Sequence, residues 1–262
     1  MKCLPHVADV TRLYCARFCG ILLVDGKFVK VRGYEGKIPL IYGVDYLTHD
    51  IPTHRLVLAE SYESWLAFFT SLRLLNYPLQ GIVCDDNINI RLACLKIYPK
   101  AVIQLCQTHY VRNIKNSLNL KENPCYLPFM EDIRMLFKGR RTTTDFGNSA
   151  FKLIRKYQKD PLCMAILTDI HKNKDLLLAY TRLPALCKTN NLIECFNSHI
   201  QQRVRALKGF KSFKHAASWL NGLLLRRRFL KLTDCKGKFR HLNGKRPIDL
   251  SKRENIDLPT FF

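Results

Sequence analysis

The sequence is short of acids. Its 262 residues hold 21 Asp and Glu against 43 Lys and Arg, a formal net charge of +22. It also lacks any apolar run approaching the length of a bilayer-spanning helix. Cys19–Val24 is far too short to span, and it passes into Asp25-Gly26-Lys27 with no small-residue cleavage site. A membrane span and a cleaved leader are therefore not expected, and no internal repeat is visible. A disulfide framework is missing too. The eleven cysteines are scattered through hydrophobic segments, as at Cys84, Cys94, Cys106 and Cys163, and read as reduced thiols of a cytoplasmic protein. Cys3-x-x-His6, Cys15-x3-Cys19 and Cys195-x3-His199 have ligand-like spacings. None has a second half at zinc-finger distance, so structural zinc is not expected.

What remains is ample for a core: 47% of residues are hydrophobic and 11% aromatic. So large a cationic excess calls for a polyanionic partner, either nucleic acid or an anionic membrane surface. Residues 195–248 carry 14 Lys and Arg and a single acid, Asp234. With no span to place beside them, DNA or RNA is the expected partner and no membrane is.

Periodicity divides the chain into distinct stretches. A short helix is expected over Val7–Phe18. Ile21–Asp25 reads as a buried strand with the acid near its end, and Phe28–Val31 either continues it or turns into it. Ile38–Val44 and His54–Ala59 follow as strands, close enough in sequence for three antiparallel neighbours. Trp65, Phe68, Phe69, Leu72 and Leu75 then mark a helix with Ser61 as its N-cap. Gly81–Asp85 is a further strand ending in acid, Ile88–Tyr98 a helix, Ala101–Leu105 a fifth strand, and Cys106–Leu118 a helix. Strand signals then cease: 126–137, 144–158 and 161–180 read as three helices. Ile193, Phe196, Ile200, Val204 and Leu207 recur at steps of three and four. They form the apolar face of a helix capped by Thr189-Asn190-Asn191, with Glu194 beside that face and Arg203, Arg205, Lys208 and Lys211 after it. A helix over Lys214–Leu232 ends in Arg226-Arg227-Arg228, and a basic tail without a core pattern closes the chain. Three strands followed by alternating strands and helices imply an α/β fold with a mixed sheet.

Asp25 and Asp85 both end apolar strands, and Glu194 sits on a flanking helix. Three such carboxylates can hold two hard divalent cations, whose oxygen-rich shells leave room for phosphate and water. Each acid also has a plainer reading, Asp25-Gly26 as a turn and Asp85-Asp86-Asn87 as a helix cap, and Asp45, Glu60 and Asp86 are rival strand-end acids. Cys106 and His109, three apart on a helical turn, share a face near the fifth strand. A buried Cys against a hydrogen-bonded His accounts for that spacing equally well.

Four ordered motifs carry a resemblance. Leu23-Val24-Asp25-Gly26, Ile82-Val83-Cys84-Asp85, the run Gln104 to Asn113 (QLCQTHYVRN), and Thr189 to Asn197 (TNNLIECFN) followed by Arg203 and Phe210 resemble the Mutator-type DDE transposases of bacterial insertion sequences, related to the Mutator-like elements of eukaryotes. The likeness covers roughly residues 20–230. It implies a ribonuclease H-like α/β core with an all-helical insertion before the third acid. On that reading 1–20 is an N-terminal remnant, 21–118 the first part of the core, and 119–185 the insertion. Residues 186–232 complete the core and 233–262 form the basic tail. The resemblance also implies that Asp25, Asp85 and Glu194 are both catalytic acids and ligands of two Mg2+ ions, with Mn2+ as a substitute. DNA contacts would fall to Cys106, His109, Arg112, Arg203, Arg205, Lys208 and Lys211.

The expected activity is metal-dependent cleavage of transposon-end DNA followed by strand transfer into target DNA. A homodimer or higher oligomer would act in a bacterial or archaeal cytoplasm, at the nucleoid. Two departures from the family pattern stand out. Asp86 occupies a position where glycine is usual, and only 24 residues precede Asp25, so the chain is expected to lack an N-terminal end-binding region. Two alternatives remain: an inactive DNA-binding remnant, and another ribonuclease H-like nuclease that cuts without strand transfer.

Overall fold

A computed structural model describes residues 4–262; Cys3, of the Cys3-x-x-His6 spacing, lies outside the described residues. In chain order the elements are α1 (Val7–Tyr14), β1 (Ile21–Val29), β2 (Ile38–Asp45), β3 (His54–Leu56), α2 (Tyr62–Leu74), β4 (Gly81–Cys84), α3 (Ile88–Ile97), β5 (Val102–Leu105) and α4 (Gln107–Leu118). There follow α5 (Leu127–Phe137), α6 (Thr143–Tyr157), α7 (Pro161–Lys172), α8 (Lys174–Leu177), α9 (Asn191–Arg205), α10 (Phe213–Phe229) and α11 (Pro247–Ser251). The strands form one sheet in the order β3-β2-β1-β4-β5. β1, β2 and β3 are antiparallel neighbours. β4 and β5 are joined through α3, the kind of helical crossover that links parallel strands, so the sheet is mixed.

The chain divides into two compact units. The first comprises Met1–Ile82, Asn87–Ala101 and Asn191–Phe262; the second comprises Val83–Asp86 and Val102–Asn190.

In the first unit the apolar run Ile21–Val24 is wholly buried, while Asp25, Gly26 and Lys27 are half-buried. The strand nevertheless continues, because its ladder with β2 runs on to Val29 opposite Ile38. Asp25 therefore lies in the middle of a nine-residue strand, not at its end, and opposite Tyr42. On α9 the residues Ile193, Phe196, Ile200 and Val204 are buried as their spacing requires. The helix stops at Arg205, so Leu207 falls beyond it and is exposed.

The basic tail also differs from expectation. Leu242 and Ile248 are buried in it, and Arg253 N–H donates to Tyr14 O at 2.7 Å. Arg228 is fully buried: its guanidinium pairs with Asp50 at 2.7 and 2.8 Å and donates to Val7 O, Thr11 Oγ1 and Cys15 Sγ. Ser251 Oγ donates to the same Asp50 carboxylate. One buried ion pair thus fastens α1, α10 and α11 together. The sequence shows Arg228 only as part of a basic helix end, and packing reveals that its charge is neutralised internally by Asp50.

In the second unit, helices occupy the segment after α4. The expected long helix over 161–180 is broken: α7 ends at Lys172, and α8 and a 3-10 turn, Ala179–Thr181, follow. Gln104, buried on β5, accounts for the end of α8. Its amide donates to Leu177 O at 2.8 Å and accepts from Tyr180 N–H at 3.0 Å, and Gln107 Nε2 also donates to Leu177 O at 2.8 Å. These side chains take the backbone groups that a continuing helix would have used itself.

Candidate functional site

Each unit gathers part of the predicted set. In the first, α9 packs on β1 and β2. Asp25 and Tyr42 are cross-strand partners and so present their side chains on one face of the sheet. Asn197 of α9 joins them. Its Nδ2 donates to Asp25 Oδ2 at 2.6 Å, and its Oδ1 accepts from the Tyr42 hydroxyl at 2.8 Å. Asp25 Oδ1 meanwhile accepts from Gly26 N–H at 2.8 Å. Burial, reinforced by the charge of Asp25, pushes the Tyr42 phenol well above its usual pKa, so it serves as a neutral donor.

At about 100° per residue, Glu194 and Asn197 lie within one turn on the same side of α9, and Arg205 falls on that side too. Arg205 lies close enough to depress the Lys27 ammonium, together with burial and Lys37, while Asp25 opposes that shift. Arg203 points the opposite way. It lines a groove of about 110 Å³ with Phe196, Arg226 and Arg227, where the Arg227 guanidinium stacks 4.9 Å from the Phe196 ring. Lys208 and Lys211, past the end of the helix, line a different cleft against residues 30–37. The four cations that follow Glu194 in sequence thus serve three separate surfaces.

Another acid, Glu60, lies against Gly26, the residue after Asp25. Glu60 Oε1 accepts from Trp65 Nε1 at 3.2 Å and from Asn87 Nδ2 at 3.4 Å. A Cβ on Gly26 would meet Glu60 Oε2 at 2.9 Å. Glycine after Asp25 thus leaves room for the Glu60 carboxylate, and it lies within β1 and not in a turn.

In the second unit Asp85, Cys106 and His109 come together, with ligand atoms all within 4.8 Å of one another. His109 Nδ1 is 2.5 Å from Asp85 Oδ1. Hydrogen bonds to Asp85 and Cys106 raise the imidazole to about 10, so it is an imidazolium at neutral pH. Asn190 completes the cluster: its N–H donates to Cys106 Sγ at 3.2 Å, and its Nδ2 reaches Asp85 Oδ1 at 3.5 Å. Arg112, further along α4, is exposed.

A carboxylate, a thiol and an imidazole form a donor set for a borderline metal such as zinc, which needs the imidazole neutral and the thiol ionised. The hydrogen bonds found here hold the imidazole charged instead. Asp25, Asp85 and Glu194 are all half-buried, and their carboxylate oxygens are the hard donors that suit Mg2+. Among the other ligand-like spacings, Cys15 is held in the Arg228 network and His199 pairs with Asp234 at 3.0 Å.

Sequence reasoning assigned no role to Asn197 or Tyr42, gave Asn190 only a share in a helix cap, and named Glu60 only as a rival strand-end acid. The signal for Asn197 was present, three residues after Glu194 and hence on its side of the helix. Tyr42 became visible only through strand register.

The sequence model of a family described as "Transposase, Mutator family" matches residues 11–226. Comparison with curated proteins returns no match. Among solved structures, the chain is similar to the HTLV-2 integrase catalytic core domain in complex with magnesium (dimeric form). The identity is 21%, over 41% of this chain and 75% of that one, with a TM-score of 0.27.

Proposed function

Because the chain belongs to the Mutator family of transposases, we propose that it is a DDE polynucleotidyl transferase with a ribonuclease H-like core and a helical insertion before Glu194. Asp25, Asp85 and Glu194 are its catalytic acids and would hold two Mg2+ ions, or Mn2+ in their place. When bound, the metal pair supplies Lewis-acid stabilisation of the scissile phosphate and activation of the attacking oxygen. The chain's own residues orient and neutralise. Asn197 and Tyr42 fix the rotamer of Asp25, His109 and Asn190 that of Asp85, and the imidazolium of His109 offers a positive donor to a phosphate oxygen. Arg205 extends positive charge away from Glu194 along the helix. Arg112, Lys208 and Lys211 are exposed and suited to backbone contacts that position DNA without reading its sequence. DNA, as transposon ends and target, is the substrate, and a homodimer or higher oligomer is the working form.

The observation that carries this reading is the 2.6 Å hydrogen bond from Asn197 to Asp25, which ties the side of α9 bearing Glu194 to the strand bearing the first acid. The test is strand nicking and joining of labelled transposon-end DNA with Mg2+. Asp25→Asn, Asp85→Asn and Glu194→Gln are each expected to fall to the uncatalysed background while DNA binding persists. Cleavage undiminished in any of them would remove that acid from the mechanism. Binding without cleavage by the unaltered chain would favour an inactive remnant, and cleavage without joining another nuclease of the same fold.

A further inference from the structure

Between β1 and β2 the chain runs through residues 30–37, and against this hairpin end lies the segment 207–211 that follows α9. The two are stitched together. Phe210 N–H donates to Lys30 O at 2.9 Å, Arg32 N–H donates to Phe210 O at 2.8 Å, and Val31 and Phe210 form a parallel bridge. Phe210 is buried, with Trp219 and His215 rings at 5.4 and 5.7 Å. Gly209 adopts φ +110°, which L side chains rarely adopt, and so brings Phe210 back to the hairpin. The segment is therefore pinned at its centre, leaving the side chains on either side of Phe210 free to face outward.

Those side chains are cationic on both walls. Lys30, Arg32 and Lys37 come from the hairpin and Lys208 and Lys211 from the segment, all exposed, around an open cleft of about 650 Å³. Glu35 is the single acid there. The cleft also holds one large aromatic ring, Tyr34, which is 42% exposed. The ring is steadied from one side by Phe213, at 6.2 Å between centroids. A cavity of this size falls within the range of about 300–1,000 Å³ that accepts a small organic ligand. It can take a nucleotide or two. A duplex, whose major groove alone is about 12 Å wide, cannot enter it. Cations that follow a phosphate chain, set around an exposed ring that can stack on a base, are the two elements of single-strand recognition. Along β1 the chain runs from this hairpin back through Lys27 to Asp25.

We infer that this cleft binds an unpaired stretch of DNA, with Tyr34 stacked on one base and the five cations on the flanking phosphates. The inference rests on the reading of the chain as a DNA-handling protein, but not on its catalytic acids.

The test is fluorescence anisotropy in EDTA, so that no strand is cut, with a blunt 20-base-pair duplex and the same duplex carrying a five-nucleotide single-stranded extension. The extended duplex is expected to bind about 5- to 100-fold more tightly, the range that one base stacked on an aromatic ring supplies. Tyr34→Ala should abolish that preference and Tyr34→Phe should keep it, since stacking needs the ring and not the hydroxyl. Lys30→Ala with Lys208→Ala should weaken binding of the extended DNA and lower its salt slope by about 1.4, two phosphate contacts at the single-strand coefficient. Equal affinity for the two DNAs, or a preference that survives Tyr34→Ala, overturns the inference. A slope unchanged by the lysine pair overturns the assignment of phosphates to the cleft. Absence of any preference in the unaltered chain, when that chain still nicks transposon ends with Mg2+, would sink this inference alone. Absence of any DNA binding would sink the functional reading with it.

Discussion

Replacing Asn197 with Ala probes the joint between α9 and the sheet. The amide makes two bonds of different kinds. One is charge-assisted, to the Asp25 carboxylate at 2.6 Å, and such bonds contribute about 1.5–3 kcal/mol. The other satisfies the Tyr42 hydroxyl, whose residue is fully buried, and a phenol left there without an acceptor costs about 1–3 kcal/mol. Asn197→Ala should therefore destabilise the protein by about 3 kcal/mol. With Tyr42→Phe already in place no phenol is stranded, and the same substitution should cost only about 1.5–2 kcal/mol. The double-mutant cycle should return a coupling of about 1 kcal/mol or more. Urea unfolding of the four proteins measures it. In a strand-nicking assay Asn197→Ala should also need more Mg2+ for half-maximal rate, because Asp25 loses the bond that holds its rotamer. Additivity of the two substitutions within about 0.5 kcal/mol would refute the reasoning, as would an unchanged Mg2+ requirement.

The remaining expectations concern stability and packing. Burial lowers His49 to about 4 and His54 to about 3, so both stay neutral in the folded protein while the unfolded chain protonates them near 6.5. The folded state then binds fewer protons; stability is full above pH 6.5 and is lost as pH falls toward 4. Each histidine should cost about 2 kcal/mol at pH 5. Because the raised His109 titrates with the opposite sign, the check compares urea midpoints of the protein and of His54→Gln from pH 8 to pH 5, and a difference between them that does not change with pH would contradict it. Arg228→Ala strands the buried Asp50 carboxylate and should cost about 3–5 kcal/mol, whereas the exposed neighbour Arg226→Ala should stay within about 0.5 kcal/mol. Comparable thermal shifts for the two would contradict the division drawn between them. Gly26→Ala drives a methyl group against Glu60, which Trp65 and Asn87 hold in place, and should cost about 1–3 kcal/mol. Glu60→Ala should relieve most of that penalty, and a penalty that persists would point to backbone strain instead.

Much of this was legible along the chain. The apolar steps on α9 marked its buried face, the run Ile21–Val24 its buried strand, and Ser61 and the Pro and Asn breaks the ends of helices, because each depends on neighbours within a turn or a pleat. Strand ends were less legible. Asp25 looked terminal since the apolar run stops there, yet a ladder survives on backbone pairing after side-chain burial ends. The helix over 161–180 looked continuous, because the Gln104 and Gln107 amides that take over the backbone at Leu177 and Tyr180 come from 70 to 76 residues away.

Charge was read least well from sequence. Composition determined that this protein is strongly cationic and that most of the excess follows Glu194, since charge adds up regardless of folding. Only tertiary structure decided what each cation does. Arg228 is buried on Asp50, Arg227 lies on Phe196, and Lys208 and Lys211 face the hairpin. Neighbouring residues of a helix point about 100° apart, and where each one lands depends on a partner that may be 200 residues distant. The same reason separates the acids from their supports: the identities of Asp25 and Glu194 stand in the sequence, while Tyr42 and Asn197 acquire their role from strand register and from the seat of one helix.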